Sequence, residues 1–79
     1  MGRAKRWRVK NLPEKLLQIR KNLNLSQNEL IRELRLENVI YQTNISVYES
    51  GEREPPLPIL LRYARLAKIN LENLVDDDL

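Results

Sequence analysis

At 79 residues the chain has material for one small hydrophobic core and none for a second. It contains no Cys and no His, so disulfides, thiolate–metal staples, thiol nucleophiles and near-neutral proton shuttles are excluded. The net charge of +3 is unevenly spread: Arg3, Lys5, Arg6, Arg8 and Lys10 crowd the first ten residues, while Asp76, Asp77 and Asp78 lie at the other end.

These limits set the expectations. No catalytic residue, metal, cofactor or small-molecule substrate is expected, and the chain is read as a non-enzyme. No apolar run approaches the roughly 18 residues that a membrane span needs, and no apolar signal core follows the basic start. A cytoplasmic protein that does not enter the membrane is therefore expected. Two readings of residues 1–11 stay open. They form either a basic arm that tracks phosphates, with Arg3, Lys5 and Arg6 as candidate contacts, or a solubilising tail. Residues 76–79 read as a solvated acidic tail.

Between the two ends the apolar residues recur at helical intervals. From Pro13, tolerated in a first helical turn, Leu16, Ile19 and Leu23 mark a first helix, with Asn22 and Asn24 at its end. Ser26 and Glu29 have capping-box spacing and start a second helix, whose buried stripe is Leu30, Ile31 and Leu34. Residues 35–41 read as a long connection. Its apolar residues Leu36, Val39 and Ile40 have three readings: packing over the core, extending helix two, or offering an apolar surface to another subunit.

A short, mostly polar third helix is predicted over 42–50, with Ile45 and Tyr48 as its core contacts and Gly51 as a left-handed stop. Such a helix cannot be deeply buried. Pro55, Pro56 and Pro58 make the next segment a loop, and a fourth helix follows from about residue 57 to 68. Leu57, Leu60, Leu61, Ala64 and Ala67 are expected on its inner face. Asn70 precedes a last short helix over 71–75 that presents Leu71, Leu74 and Val75.

One combination of residues is specific. Leu25-Ser26-Gln27, then Leu30 and Leu34, then Ile45-Ser46, Tyr48-Glu49, Gly51, Arg53 and Pro55 resembles the helix-turn-helix domain of phage repressors and Cro proteins, the XRE-like family. The resemblance covers residues 12–75 and implies an all-α, compact five-helix domain of the lambda-repressor-like type. It implies double-stranded DNA as the partner, with helix 42–50 in the major groove. Gln42, Thr43, Ser46 and Val47 then become base readers; Asn44 suits either a base or a phosphate. Gln bonds adenine bidentately, and Thr and Val methyl groups pack on thymine. Gln27 and Arg53 become phosphate contacts, and Arg20 with Glu49 becomes a structural ion pair.

Two departures accompany the longer connection between helices two and three. Ile31 stands where the family has a small residue, and Arg35 stands where it has Gly. A tight turn needs Gly at a left-handed position whereas a longer loop does not, and bulky Ile31 is expected to hold helix three farther away. The implied function is sequence-specific binding by a transcriptional regulator, a repressor, acting as a homodimer through Leu74, Val75 and Leu79. A protein-binding module on the same fold, such as an antitoxin or adaptor, is the alternative.

Overall fold

The computed structural model describes residues 11–75; the acidic tail predicted for residues 76–79 and all of the basic arm predicted for residues 1–11 except Asn11 lie outside the described residues. Five helices follow one another: α1 Leu12–Asn22, α2 Gln27–Leu34, α3 Gln42–Ser50, α4 Leu57–Ala67 and α5 Leu71–Val75. No strand occurs among the described residues. The fold is all-α, as expected.

Local chemistry explains where each helix begins. Pro13 sits in the first turn of α1, where the missing donor costs nothing. At α2 the capping box is complete: the Glu29 amide donates to Ser26 Oγ at 3.1 Å, and the Ser26 amide donates to Glu29 Oε1 at 2.8 Å. Accepting these bonds holds the Glu29 carboxyl below its ordinary range. At α3 only the reciprocal half of such a box is made, by the Tyr41 amide donating to Asn44 Oδ1 at 2.8 Å.

Helix ends are more unusual. Gly51 stops α3 with φ +87°, and a Cβ there would lie 3.2 Å from Pro13 Cγ. But α2 and α4 also stop on left-handed residues, Arg35 and Lys68, each with φ +60°. In both, the next amide reaches back five residues, Leu36 to Ile31 and Ile69 to Ala64, each at 3.0 Å. The connection is longer and still turns through the left-handed conformation at Arg35, which brings the Arg35 and Leu36 amides back onto the last carbonyls of α2.

The connection then makes one helical turn of its own, with the Ile40 amide bonded to the Leu36 carbonyl. Leu36 and Ile40 join the core, whereas Val39 is 64% exposed. Packing over the core is thus the reading that two of the three apolar residues follow, and α2 is not extended.

The core collects Leu12 and Leu16 from α1, Leu30, Ile31 and Leu34 from α2, Ile45 and Tyr48 from α3, and Leu74 from α5. From α4 it takes Ile59, Leu60, Tyr63 and Ala64. The predicted inner face of α4 was therefore rotated: Leu57 is exposed, Leu61 and Ala67 are half-buried, and Ile59 and Tyr63 point inward. Leu74 is fully buried in its own subunit, so it is not available to the dimer surface expected of it, and Leu79 lies outside the described residues. Val75 is half-buried against the core. Lys15 Nζ closes the end of α5 by donating to the carbonyls of Asn73 and Leu74 at 3.3 Å each. No helix among the described residues is long and apolar enough to cross a membrane.

Candidate nucleic-acid interface

Helix α3 lies on the body by one narrow seam. Ile45 is fully buried and Tyr48 nearly so, one turn apart, and the rest of the helix stays near the surface. Gln42, Thr43 and Ser46 are exposed, so the leading end of the rod presents two hydrogen-bonding side chains and a hydroxyl. Val47, expected to be exposed, is half-buried and packs against the core. Asn44 is also half-buried, and its Oδ1 is taken up by the Tyr41 amide.

The trailing half of α3 is fixed by a polar chain. Arg20 Nε donates to Glu49 Oε2 at 2.7 Å and Nη2 donates to Glu49 Oε1 at 3.0 Å, a bidentate pair. Arg20 Nη1 also donates to the Leu25 carbonyl at 3.0 Å, which ties the α1–α2 turn to the same guanidinium. Glu49 Oε1 then accepts from Gln27 Nε2 at 3.3 Å, and Gln27 Oε1 accepts from Ser46 Oγ at 3.4 Å. One chain of bonds thus runs from α1 through Glu49 to the first residue of α2 and on to the outer face of α3. The paired side chains are 18% and 8% exposed, shielded enough for geometry to matter. The bond from Glu49 is the main reason the Arg20 guanidinium holds its proton more tightly than usual, against the desolvation that opposes it.

Beneath this chain sits Tyr63, fully buried, whose hydroxyl has no hydrogen-bond partner among the described residues. Burial pushes its phenol well above the ordinary range, with Glu49 and Tyr48 adding to the effect and Arg20 opposing it. Tyr48 is also raised by burial, and the charge of Arg53 partly offsets the shift. Arg53 itself is exposed in the loop after α3, held by its amide bond to the Val47 carbonyl at 3.3 Å.

The structure therefore brings Gln27, Ser46, Glu49 and Arg20 into one network and leaves Gln42, Thr43 and Arg53 standing clear. Arg3, Lys5 and Arg6 lie outside the described residues. Residues that sequence reasoning left aside gather beside Gln42. Asn28, Arg32, Glu37, Asn38 and Tyr41 line a shallow cleft with it between α2 and the start of α3. Asn28 and Arg32 are one turn apart on α2, a spacing visible in the sequence, but nothing there shows that the loop brings Tyr41 and Gln42 beside them.

A family model for a helix-turn-helix domain matches residues 14–77. The chain belongs to the helix-turn-helix domain family. No curated protein and no solved structure matches the chain significantly. Membership in this family points to DNA as the partner.

Proposed function

We propose that the chain is a sequence-specific, double-stranded DNA-binding transcriptional regulator of the XRE-like phage repressor type, a cytoplasmic repressor that carries α3 in the major groove. One observation carries this reading. The outer face of α3 is polar and open at Gln42, Thr43 and Ser46, while its inner face is pinned by Ile45, Tyr48 and Glu49. A helix held rigidly by one side and bare on the other fits the groove, because base edges are read by side chains whose positions are set beforehand.

Within that reading Gln42 bonds adenine N6 and N7, the Thr43 methyl meets a thymine methyl, and Ser46 reads a neighbouring base. Val47 and Asn44 take lesser parts, since one packs inward and the other closes the start of α3. Gln27 meets a phosphate from the amino end of α2, where free amides favour an anion. Arg53 grips the backbone across the groove, Arg32 adds a contact from α2, and the arm contributes Arg3, Lys5 and Arg6. Two copies on a two-fold operator, with reading helices one turn of DNA apart, complete the proposal.

The experiment is selection of bound duplexes from a random pool, followed by two variants on the selected site. Gln42→Ala is expected to relax preference at one base pair at a cost of about 1–3 kcal/mol, whereas Arg53→Ala weakens all sequences alike and flattens the salt dependence. Affinity is expected to fall steeply between about 50 and 200 mM salt. A pool that yields no enriched sequence, or binding that ignores salt, overturns the reading and favours a protein-binding module.

A further inference from the structure

The polar chain behind α3 has a direction, and the chemistry of its members fixes it. The Arg20 guanidinium only donates and the Glu49 carboxylate only accepts, so the bonds between them run one way, at 2.7 and 3.0 Å. Gln27 is the first member able to face either way, because its amide has a donor end and an acceptor end. Its neighbour Glu49 decides the matter. Turned over, the half-buried amide would set its oxygen against a carboxylate that is only 8% exposed. Gln27 Nε2 therefore faces Glu49 at 3.3 Å, and Gln27 Oε1 faces Ser46 Oγ at 3.4 Å.

An amide oxygen cannot donate, so the Ser46 hydroxyl turns its hydrogen toward Gln27. The bond is long, and its direction matters more than its strength: the opposite rotamer brings the lone pairs of two oxygens face to face. A serine inside a helix commonly donates to the carbonyl four residues back. Here the hydrogen goes across to α2 instead, and among the described residues no other side-chain bond turns the hydroxyl elsewhere. Ser46 is exposed on the outer face of α3, so what it offers there is a pair of acceptor sites.

We propose that Ser46 reads the major groove as an acceptor only, selecting an amino base, adenine or cytosine, on the DNA strand it meets, and that Gln27 is the positioning residue that sets this polarity. The inference rests on the assignment of α3 to the groove. There adenine N6 and cytosine N4 carry donors, whereas guanine O6 and thymine O4 are acceptors. An amino group meets the outward lone pairs of Ser46 directly. A keto oxygen gains the hydroxyl hydrogen only by drawing it from Gln27, which leaves the amide oxygen without its partner. Gln27 Nε2 carries two hydrogens and spends one on Glu49, so the other is left for a phosphate. Holding Ser46 and gripping the DNA backbone therefore do not compete.

The test measures the affinity of the full chain for its selected duplex with each of the four base pairs placed in turn at every position. The pair read by Ser46 is the one whose preference disappears in Ser46→Ala. At that pair adenine and cytosine on one DNA strand are expected to bind at least about fivefold more tightly than guanine and thymine. Purine in place of adenine, or pyrimidinone in place of cytosine, removes the amino group and is expected to weaken the parent but not Ser46→Ala. Gln27→Met takes away the amide and weakens every duplex through the lost phosphate contact. Its ratio of amino to keto bases at the Ser46 pair is expected to fall below about twofold, while the preference at the Gln42 pair keeps its parent value. These ratios do not depend on the fraction of chain folded. A division by purine against pyrimidine or by A·T against G·C, an unchanged ratio in Gln27→Met, or no response to Ser46→Ala overturns the proposal and leaves the Gln42 preference, and with it the assignment of α3, in place. A pool with no enriched sequence overturns both.

Discussion

Helices α3 and α4 are close in length and held in opposite ways. Four residues of α4 are buried, and its position is set by apolar area spread along two turns. Only Ile45 and Tyr48 of α3 are buried, and a polar chain through Glu49 supplies the remaining constraint. A helix offered to a partner cannot sink its flanks into the core, so its orientation has to come from a few deep anchors and directional bonds. The contrast teaches that α3 is pinned at points, while α4 is embedded.

The largest effect is expected where one anchor carries most of the burial. Ile45→Ala should cost about 2–5 kcal/mol in urea unfolding, and more than Ile59→Ala in α4, because neighbouring buried residues share the load there. Equal losses would mean that α3 is embedded as α4 is.

Next comes the polar chain. Glu49→Gln weakens the grip on Arg20 without removing the side chain and should cost about 1–3 kcal/mol, discounted for the partial exposure of both groups. A double-mutant cycle with Arg20→Met and Glu49→Leu should show the double variant losing less than the two singles added together. Additive losses would show that the pair contributes no coupling.

The smallest effects separate two of the three left-handed stops by sign. Gly51→Ala is expected to destabilise by about 1–2 kcal/mol, since the new Cβ is strained at φ +87° and crowds Pro13. Arg35→Gly should stabilise by up to about 1 kcal/mol, as relief of the left-handed conformation exceeds the added chain entropy. Melting temperatures of the two variants on either side of the parent would establish the difference.

The same contrasts explain what the sequence made legible. The limits of α2 and α3 were readable because their signals are local: Ser26 and Glu29 can bond only if a helix starts there, and Gly51 is a stop on its own. The inner face of α4 was not readable, since Leu57, Leu60, Leu61 and Ala64 form as good a helical stripe as Ile59, Leu60, Tyr63 and Ala64. Only packing selects the second phase, which buries Tyr63 although its hydroxyl is costly to desolvate. The left-handed Arg35 was hidden for a similar reason. Its conformation serves the carbonyl end of α2, a backbone demand that the side chain does not announce. Of the candidate interface, the residues of α3 and the Arg20–Glu49 approach were legible through the family resemblance. The grouping of Asn28, Arg32 and Tyr41 around Gln42 depends on the path of the 35–41 connection, and the inward turn of Val47 on how α3 packs against the core.

The most direct measurement is a nuclear magnetic resonance titration of the isotope-labelled chain with its selected duplex, followed residue by residue. Shifts concentrated at Gln42, Thr43, Ser46 and Gln27, with Arg35 and Arg65 unmoved, are the expected result. Shifts gathered at Arg35, Arg62 and Arg65 while the face of α3 stays silent would contradict the assignment of that helix to the groove.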